Sequence, residues 1–293
     1  MLKIAHISDL HLYKITFSPM QFFSKRWLGN LNVYFFRKNK FKPKQLNLLL
    51  DVFKKHKIDL VIVTGDISST SLKDEFEAGK TLFSEIEKEG IKTFFLPGNH
   101  DHYTKKAHRK QHFYDFFENK KGKTTIEKSF SLKKDKIEAH LIDKNLYLIN
   151  LDCSIATHLL SSRGLFSKKA EDNLKKLLSM INKEDKIILA NHFPFTQREG
   201  PRRSLKRSRI LKKIIKEHPN IKIYLHGHTH RHNILDLRKK SLPLVLDSGS
   251  TAHNNIGKWN LLDIDKDDLE ICVFEWEKEK NRWIKSIDKR FKL

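Results

Sequence analysis

Apolar positions along the chain follow two rhythms. Short β-branched runs occur at Leu2 to Ile7, Ile58 to Thr64, Thr93 to Leu96, Leu146 to Leu151, Ile187 to Ala190, Ile221 to Leu225, Leu244 to Leu246, Asn260 to Ile264 and Leu269 to Phe274. Each is of strand length and breaks into a polar turn. Between them, apolar residues recur at helical spacing in Lys44 to His56, Leu72 to Glu89, Thr104 to Phe117, Lys168 to Ile181 and Ser204 to Glu217. Strands alternating with helices predict an α/β architecture, and so many strands call for two sheets rather than one. The expected fold is therefore an αββα sandwich of two packed mixed β-sheets flanked by helices, formed by one domain over residues 1–293. Residues 13–43 carry little regular period and read as an insertion or cap after the first strand. Residues 255–293 are expected to add C-terminal strands that complete a sheet.

Composition narrows the class. The chain has 293 residues, 39% of them hydrophobic, which is enough for a large core. With 7 Pro, 11 Gly and no low-complexity tract, a disordered or collagenous protein is excluded. No apolar run reaches membrane-spanning length, and the N-terminus has no signal-peptide pattern. Cys153 and Cys272 cannot build a disulfide framework. A cytoplasmic address is the expectation. The net charge of +23 predicts attraction to polyanions. Lysine-rich composition alone accounts for part of it, but the charge is clustered: no acid lies between Asp9 and Asp51, and Arg198 to Lys216 is opposed by Glu199 alone.

The chemistry sits in the turns after strands. Ser8-Asp9-Leu10-His11 follows the first run, Gly65-Asp66 the second, and Pro97-Gly98-Asn99-His100-Asp101 the third. Asn191-His192 and His226-Gly227-His228-Thr229-His230 follow two later ones. In an α/β sheet such strand ends converge on one crevice. Asp9 with His11, and His228 with His230, are two apart and in extended backbone would point to one side as chelating pairs. Taken singly, Asp-x-His, Gly-Asp or one histidine would be an ordinary loop, cap or core residue. The ordered set is another matter. Imidazole and carboxylate donors together suit Mn, Fe or Zn rather than Mg or Ca.

That set resembles the calcineurin-like metallophosphoesterase superfamily from about Leu2 to Asn254. The resemblance implies two divalent metal ions, one held by Asp9, His11, Asp66 and His230, the other by Asp66, Asn99, His192 and His228, with Asp66 bridging. It implies hydrolysis of a phosphodiester or pyrophosphate bond by attack of a metal-bound hydroxide. His100 would be the general acid, with Asp101 orienting its ring. Val63-Thr64-Gly65-Asp66-Ile67 and the two later motifs look most like the class III cyclic-nucleotide phosphodiesterase branch. The pyrophosphohydrolases of lipid A synthesis usually read Gly-Asn-Arg-Asp where this chain has Gly98-Asn99-His100-Asp101, and the related repair nucleases add a longer C-terminal cap.

Substrate contacts are expected from Arg202, Arg203 and His232, with Arg207 also reaching distal phosphates. His226 reads as a buried neighbour of the site and His6 as structural. The 13–43 segment interleaves Phe17, Phe22, Phe23, Trp27, Tyr34, Phe35, Phe36 and Phe41 with lysines and arginines. Such a mixture packs as a cap, meets an anionic membrane from its inner face, or stacks on single-stranded nucleic acid, in that order of expectation. The alternatives to a soluble phosphodiesterase are a lipid-linked pyrophosphate or phospholipid hydrolase at the membrane surface and a non-catalytic metal-bearing adaptor.

Overall fold

A computed structural model describes residues 1–14, 27, 40–41, 43–158, 160–196 and 199–293. Most of the 13–43 insertion lies outside the described residues. The first sheet is built on strand β1 (Leu2–Ile7), which pairs in parallel with β2 (Leu60–Val63), itself parallel to β3 (Lys92–Phe95). The second begins with the antiparallel pair β4 (Ile137–Asp143) and β5 (Leu146–Leu151). A short parallel pair, β6 (Gly164–Leu165) and β8 (Leu205–Lys206), stands apart from it. Parallel neighbours β7 (Lys186–Asn191), β9 (Ile221–His226) and β11 (Leu244–Asp247) extend the second sheet from β5, and β10 (Asn233–Asp236) closes its edge. Strands β12 (Lys258–Asp265), β13 (Asp268–Glu277) and β14 (Arg282–Lys292) then run antiparallel onto β1, giving the order β14-β13-β12-β1-β2-β3. Both sheets are mixed, as expected, and each has six strands.

Period-2 alternation sorts the second sheet's side chains between two cores. Leu148, Ile188, Ala190, Ile223, Leu225, Leu244 and Leu246 turn inward and join the first sheet's Ile4, Ile62 and Leu262. Their alternates Ile149, Leu151, Ile187, Leu189 and Tyr224 turn outward onto the helices Lys168–Met180 and Ser208–Glu217 through Leu174, Leu177, Leu211, Ile214 and Ile215. The first sheet's outer helices, Leu49–His56 and Lys73–Lys88, bury Phe53, Phe76, Phe83 and Ile86. Helix, sheet, sheet and helix are thereby the four layers.

Two strands escape an apolar pattern for identifiable reasons. In β4 the buried positions include Glu138 and His140, 3.2 Å apart, with Asn150 of β5 and Asn119 also donating to Glu138. Polar groups gathered round one buried carboxylate mimic a loop in sequence. Strand β14 is an exposed edge whose lysines and arginines pair with Glu270, Glu277 and Asp268 of its neighbour, the charge pattern that protects an edge from further pairing. The stretch Thr104 to Phe117 is a short helix, Lys105–Lys110, followed by a 3-10 turn, His112–Asp115, because Gln111 adopts a left-handed conformation with φ 53°.

His102 is buried with no hydrogen-bond partner on either ring nitrogen, beside His108 and Tyr114. Burial pushes its pKa from 6.5 down to about 3. The unfolded chain takes up this proton first, so stability present above the ordinary value drains as pH falls toward the folded one. His102→Leu is expected to gain on the parent protein by about 1.4 kcal/mol per pH unit below roughly pH 6, read from urea midpoints. Parallel pH profiles for the two proteins would contradict this.

Candidate metal centre

The two sheets meet at the ends of their parallel strands, and there the backbone is locked before any ligand side chain is considered. Asp9 N donates to Gly65 O and His11 N to Asp66 O, tying the turn after β1 to the turn after β2. Gly227 N donates to His192 O, tying the turn after β9 to the end of β7. His228 N reaches across to Asp9 Oδ2 at 3.0 Å, joining the sheets. The chelating pairs do not lie in extended backbone. Asp9, His11, Asp66, His228 and His230 all have positive φ, between 48° and 71°. A left-handed residue costs about 1–3 kcal/mol outside glycine, and its clustering here is backbone strain held by the surrounding structure. Each such residue bends the chain out of the extended path of its strand.

Close approach makes two glycines obligatory. A Cβ on Gly98 would lie 2.2 Å from Asp66 Oδ1 and 2.5 Å from Asp66 N. One on Gly227 would lie 1.9 Å from Ser8 Oγ and 2.4 Å from Asp9 Oδ2.

The seven expected metal-binding residues do converge. Ring or carboxylate atoms of Asp9, His11 and His230 lie within 4.8 Å of one another, as do those of Asp9, Asp66 and His192, and of His11, Asp66 and His100. His230 Nε2 stands 3.0 Å from both Asp9 Oδ1 and His11 Nε2. On the other side Asn99 Oδ1 is 2.9 Å from His228 Nδ1 and 3.2 Å from His192 Nε2, which is 3.5 Å from Asp66 Oδ2. Backbone carbonyls set the tautomers. His192 Nδ1–H donates to Thr64 O at 2.7 Å and His228 Nε2–H to Arg203 O at 2.8 Å, so in each neutral ring the other nitrogen presents a lone pair to the centre.

The electrostatics ask for positive charge. Burial alone would raise Asp9 and Asp66, but His230 and His11 around the first, and His192 and His100 around the second, hold both well below the usual carboxylate range. Burial works against a charged His192, yet Asp66 beside it lifts its pKa to about 9. Burial pushes His228 the other way, to about 3, leaving it a neutral donor of electrons. Asp9 Oδ1 is buried with no donor in hydrogen-bond geometry. Lone pairs of an amide oxygen, two imidazoles and two carboxylates facing one small space fit divalent cations.

Other expectations need correction. Asp101 does not orient His100. Its carboxylate accepts from Gly98 N, Ser68 N and Ser68 Oγ, at 2.9, 2.8 and 2.9 Å, and so staples the Asn99 turn to the turn after β2. Burial, with Asp66 nearby, raises its pKa to about 7. The His100 ring is instead held by Ser69 O, 2.6 Å from Nδ1, and His100 N donates to Asp66 Oδ1 at 2.7 Å. His232 turns away: Nε2 is 2.7 Å from Asn260 Oδ1, and Asn260 continues to His6, which contacts Thr64 Oγ1 at 3.0 Å. His6 thereby braces the residue whose carbonyl holds His192. Arg207 is spent on Phe166 O and Glu171, away from the centre. Arg203 meets the site through its carbonyl while its exposed guanidinium faces Glu199, and Arg202 is exposed on the same turn. His226 is buried, as expected, with Nδ1 2.9 Å from Gly227 O and 3.5 Å from Asp247.

Sequence reasoning overlooked the residues that brace the ligands. Ser8 Oγ donates to Asp9 Oδ2 at 2.7 Å, Ser250 Oγ to Asp9 O at 2.8 Å, and Thr251 N to Ser8 O at 2.9 Å. Asp247, buried and pushed well above its usual pKa by that burial, receives the Thr229 hydroxyl and Gly249 N. The signal was present in Asp247-Ser248-Gly249-Ser250-Thr251, a polar run after one more strand. Phe41, in the described end of the insertion, packs its ring 4.7 Å from His11 and 6.1 Å from His230, against the centre. A cavity of about 520 Å³ between edge strands β3 and β4 is lined by Phe83, Phe94, Phe95 and Phe117 and by none of the converging residues.

The model of the calcineurin-like phosphoesterases matches residues 2–232, the span that contains every converging side chain. The chain belongs to that family. Membership implies two divalent metal ions. It is 24% identical over 203 residues to a 3',5'-cyclic-nucleotide phosphodiesterase of Nostoc sp., a match spanning 67% of this chain and 66% of that protein. In fold it is similar to a dimetal phosphatase from Danio rerio, with TM-score 0.67, 12% identity, and coverage of 99% and 98% of the two chains. It is also similar to a purple acid phosphatase of yellow lupin, with TM-score 0.58 and 10% identity over 98% of this chain and 53% of that one. No described helix of this metallophosphoesterase is long and apolar enough to cross a membrane.

Gly98→Ala is expected to displace Asp66 and weaken Mn²⁺ binding by about 100-fold or more, measured by titration calorimetry. Gly200→Ala, where an added Cβ meets nothing within 4 Å, should leave it unchanged. Equal affinities in the two variants would show that Asp66 does not need the approach that Gly98 permits.

Proposed function

We propose that this metallophosphoesterase hydrolyses a phosphodiester or pyrophosphate bond at the converging site. The observation that carries the reading is the meeting of Asn99 Oδ1, His192 Nε2 and His228 Nδ1 beside Asp66, three neutral electron-pair donors with no proton to share among them once His192 is neutral. Asp9, His11, Asp66 and His230 would hold one divalent ion, and Asp66, Asn99, His192 and His228 the second. Bound there, the pair supplies Lewis acidity toward phosphoryl oxygens and acidifies water. With two carboxylates as the only charged donors, the loaded centre stays cationic and attracts a phosphate anion.

His100 acts as the general acid. Ser69 O accepts the Nδ1 proton, which stabilises the imidazolium and aims Nε2 as the second donor, toward the departing oxygen. Asp101 is a positioning residue: it fixes the Gly98 to His100 turn through the Gly98 amide and Ser68 and touches no reacting atom. Arg202, exposed on the turn whose Arg203 carbonyl holds His228, is the guanidinium placed to meet a distal phosphate. The name of the Nostoc relative supports a diester over a monoester. A non-catalytic adaptor would tolerate loss of these side chains, and this chain retains the full set.

Metal-stripped protein titrated with Mn²⁺ should hydrolyse bis(p-nitrophenyl) phosphate in preference to p-nitrophenyl phosphate. His100→Ala is expected to lower kcat on the diester by about 10² to 10⁴ with Mn²⁺ binding retained. A preference for the monoester would overturn the diester assignment, and loaded protein inert on both compounds and on lipid-linked pyrophosphates would favour the adaptor.

A further inference from the structure

The two helical layers of the sandwich carry different charge. On the first sheet, Leu49–His56 exposes Asp51, Lys54 and Lys55, and Lys73–Lys88 exposes Lys73, Lys80 and Lys88 against Asp74, Glu77, Glu85 and Glu87. The bases and acids of that layer balance. On the second sheet, Lys168–Met180 exposes Lys168, Lys169, Lys175 and Lys176 against Asp172, and Ser208–Glu217 exposes Arg209, Lys212, Lys213 and Lys216 against Glu217. Each of these helices presents three more bases than acids. A lysine-rich composition would load both layers alike, so the asymmetry belongs to the second layer itself.

The two basic helices form one face. Both bury their apolar sides in the same core, and Arg207 at the start of one reaches Glu171 of the other. The face continues to the rim of the metal centre. Arg202 O accepts from Ser161 Oγ and Ser162 N, both at 2.9 Å, which fastens the preceding loop to the arginine turn, and that loop carries Leu160 with 74% of its surface exposed. Arg203, next along the turn, holds His228.

We propose that this face docks on an anionic phospholipid surface, with Leu160 entering the acyl boundary beside the mouth of the metal centre. Lysine is a compact point charge suited to a diffuse field of headgroups, whereas bidentate phosphate recognition in nucleic acid favours arginine, and the eight exposed bases of the two helices include only Arg209. No aromatic ring is exposed on the described part of this face for bases to stack on. An exposed leucine at the rim has no partner on a nucleic-acid backbone but has one in a bilayer.

The test is sedimentation of the whole protein with vesicles of phosphatidylcholine alone or with about one third phosphatidylserine, at roughly 0.1 M salt. The expected result is binding only to the anionic vesicles, weakened ~100-fold by Lys169→Glu, Lys176→Glu, Lys212→Glu and Lys216→Glu combined, and weakened also by Leu160→Ser. Lys55→Glu, Lys73→Glu, Lys80→Glu and Lys88→Glu combined, on the balanced layer, should bind like the parent. Mn²⁺-dependent turnover of a soluble diester should be unchanged in all three variants, which separates loss of docking from loss of folding or of the catalytic reading. Equal binding by the two charge-reversed proteins overturns the proposal, as does tighter binding to duplex or single-stranded DNA than to the anionic vesicles.

Discussion

Seven electron-pair donors, two of them charged, are brought into one buried place, and the rest of the structure answers to that constraint. Lone pairs that face one another without a proton or a cation repel, and burial removes the water that would relieve them. The fold meets the cost with backbone. Positive φ at Asp9, His11, Asp66, His228 and His230 bends each strand end out of its extended path, and amide bonds from one turn to the next prevent relaxation. Strain of this kind persists only where packing over-determines it. The parallel strands β1, β2, β7 and β9 provide that packing, since their ends are fixed by ladders running through both sheets.

Around the donors lies a layer of hydroxyls, amides and carboxylates that never faces the centre. Ser8 and Ser250 hold Asp9, Asp101 staples two ligand turns, Asp247 anchors the Thr229 loop, and His6 with Asn260 braces Thr64. Each satisfies a polar group that would otherwise be buried alone, and each fixes the angle of a ligand. The charge that makes the centre receptive to cations is therefore inseparable from the hydrogen bonding that makes it rigid. Outside this layer the protein divides into a balanced helical side and a basic one, and the basic side runs up to His228 through the turn of Arg202 and Arg203.

Much of this was legible in the sequence because the two periodicities are strong. Apolar runs marked the inner strands, and polar clusters at their ends marked the side chains that converge. What failed to show has a common cause. Strand β4 hides because its buried Glu138 is satisfied by Asn119 and Asn150 of other segments, and β14 because its charges pair across an edge. Both replace hydrophobic patterning with partners on other segments, which a linear reading does not see. The roles of Asp101 and His232 were misplaced for the same reason: Asp101 neighbours His100 in sequence, but the donors nearest in space to its carboxylate belong to Gly98 and Ser68.

The sequence by itself determined which chemical groups are present, in which order, and that they follow strands, because residue type and hydrophobic period are local properties. Tertiary structure decided which nitrogen of His100, His192 and His228 faces the centre, since that depends on the carbonyls of Ser69, Thr64 and Arg203 on other segments. It also decided that lysines scattered over residues 168–216 share one face while those of residues 49–88 are neutralised by their neighbours. Hydrogen bonds and fields act through space, and only the folded chain sets those distances.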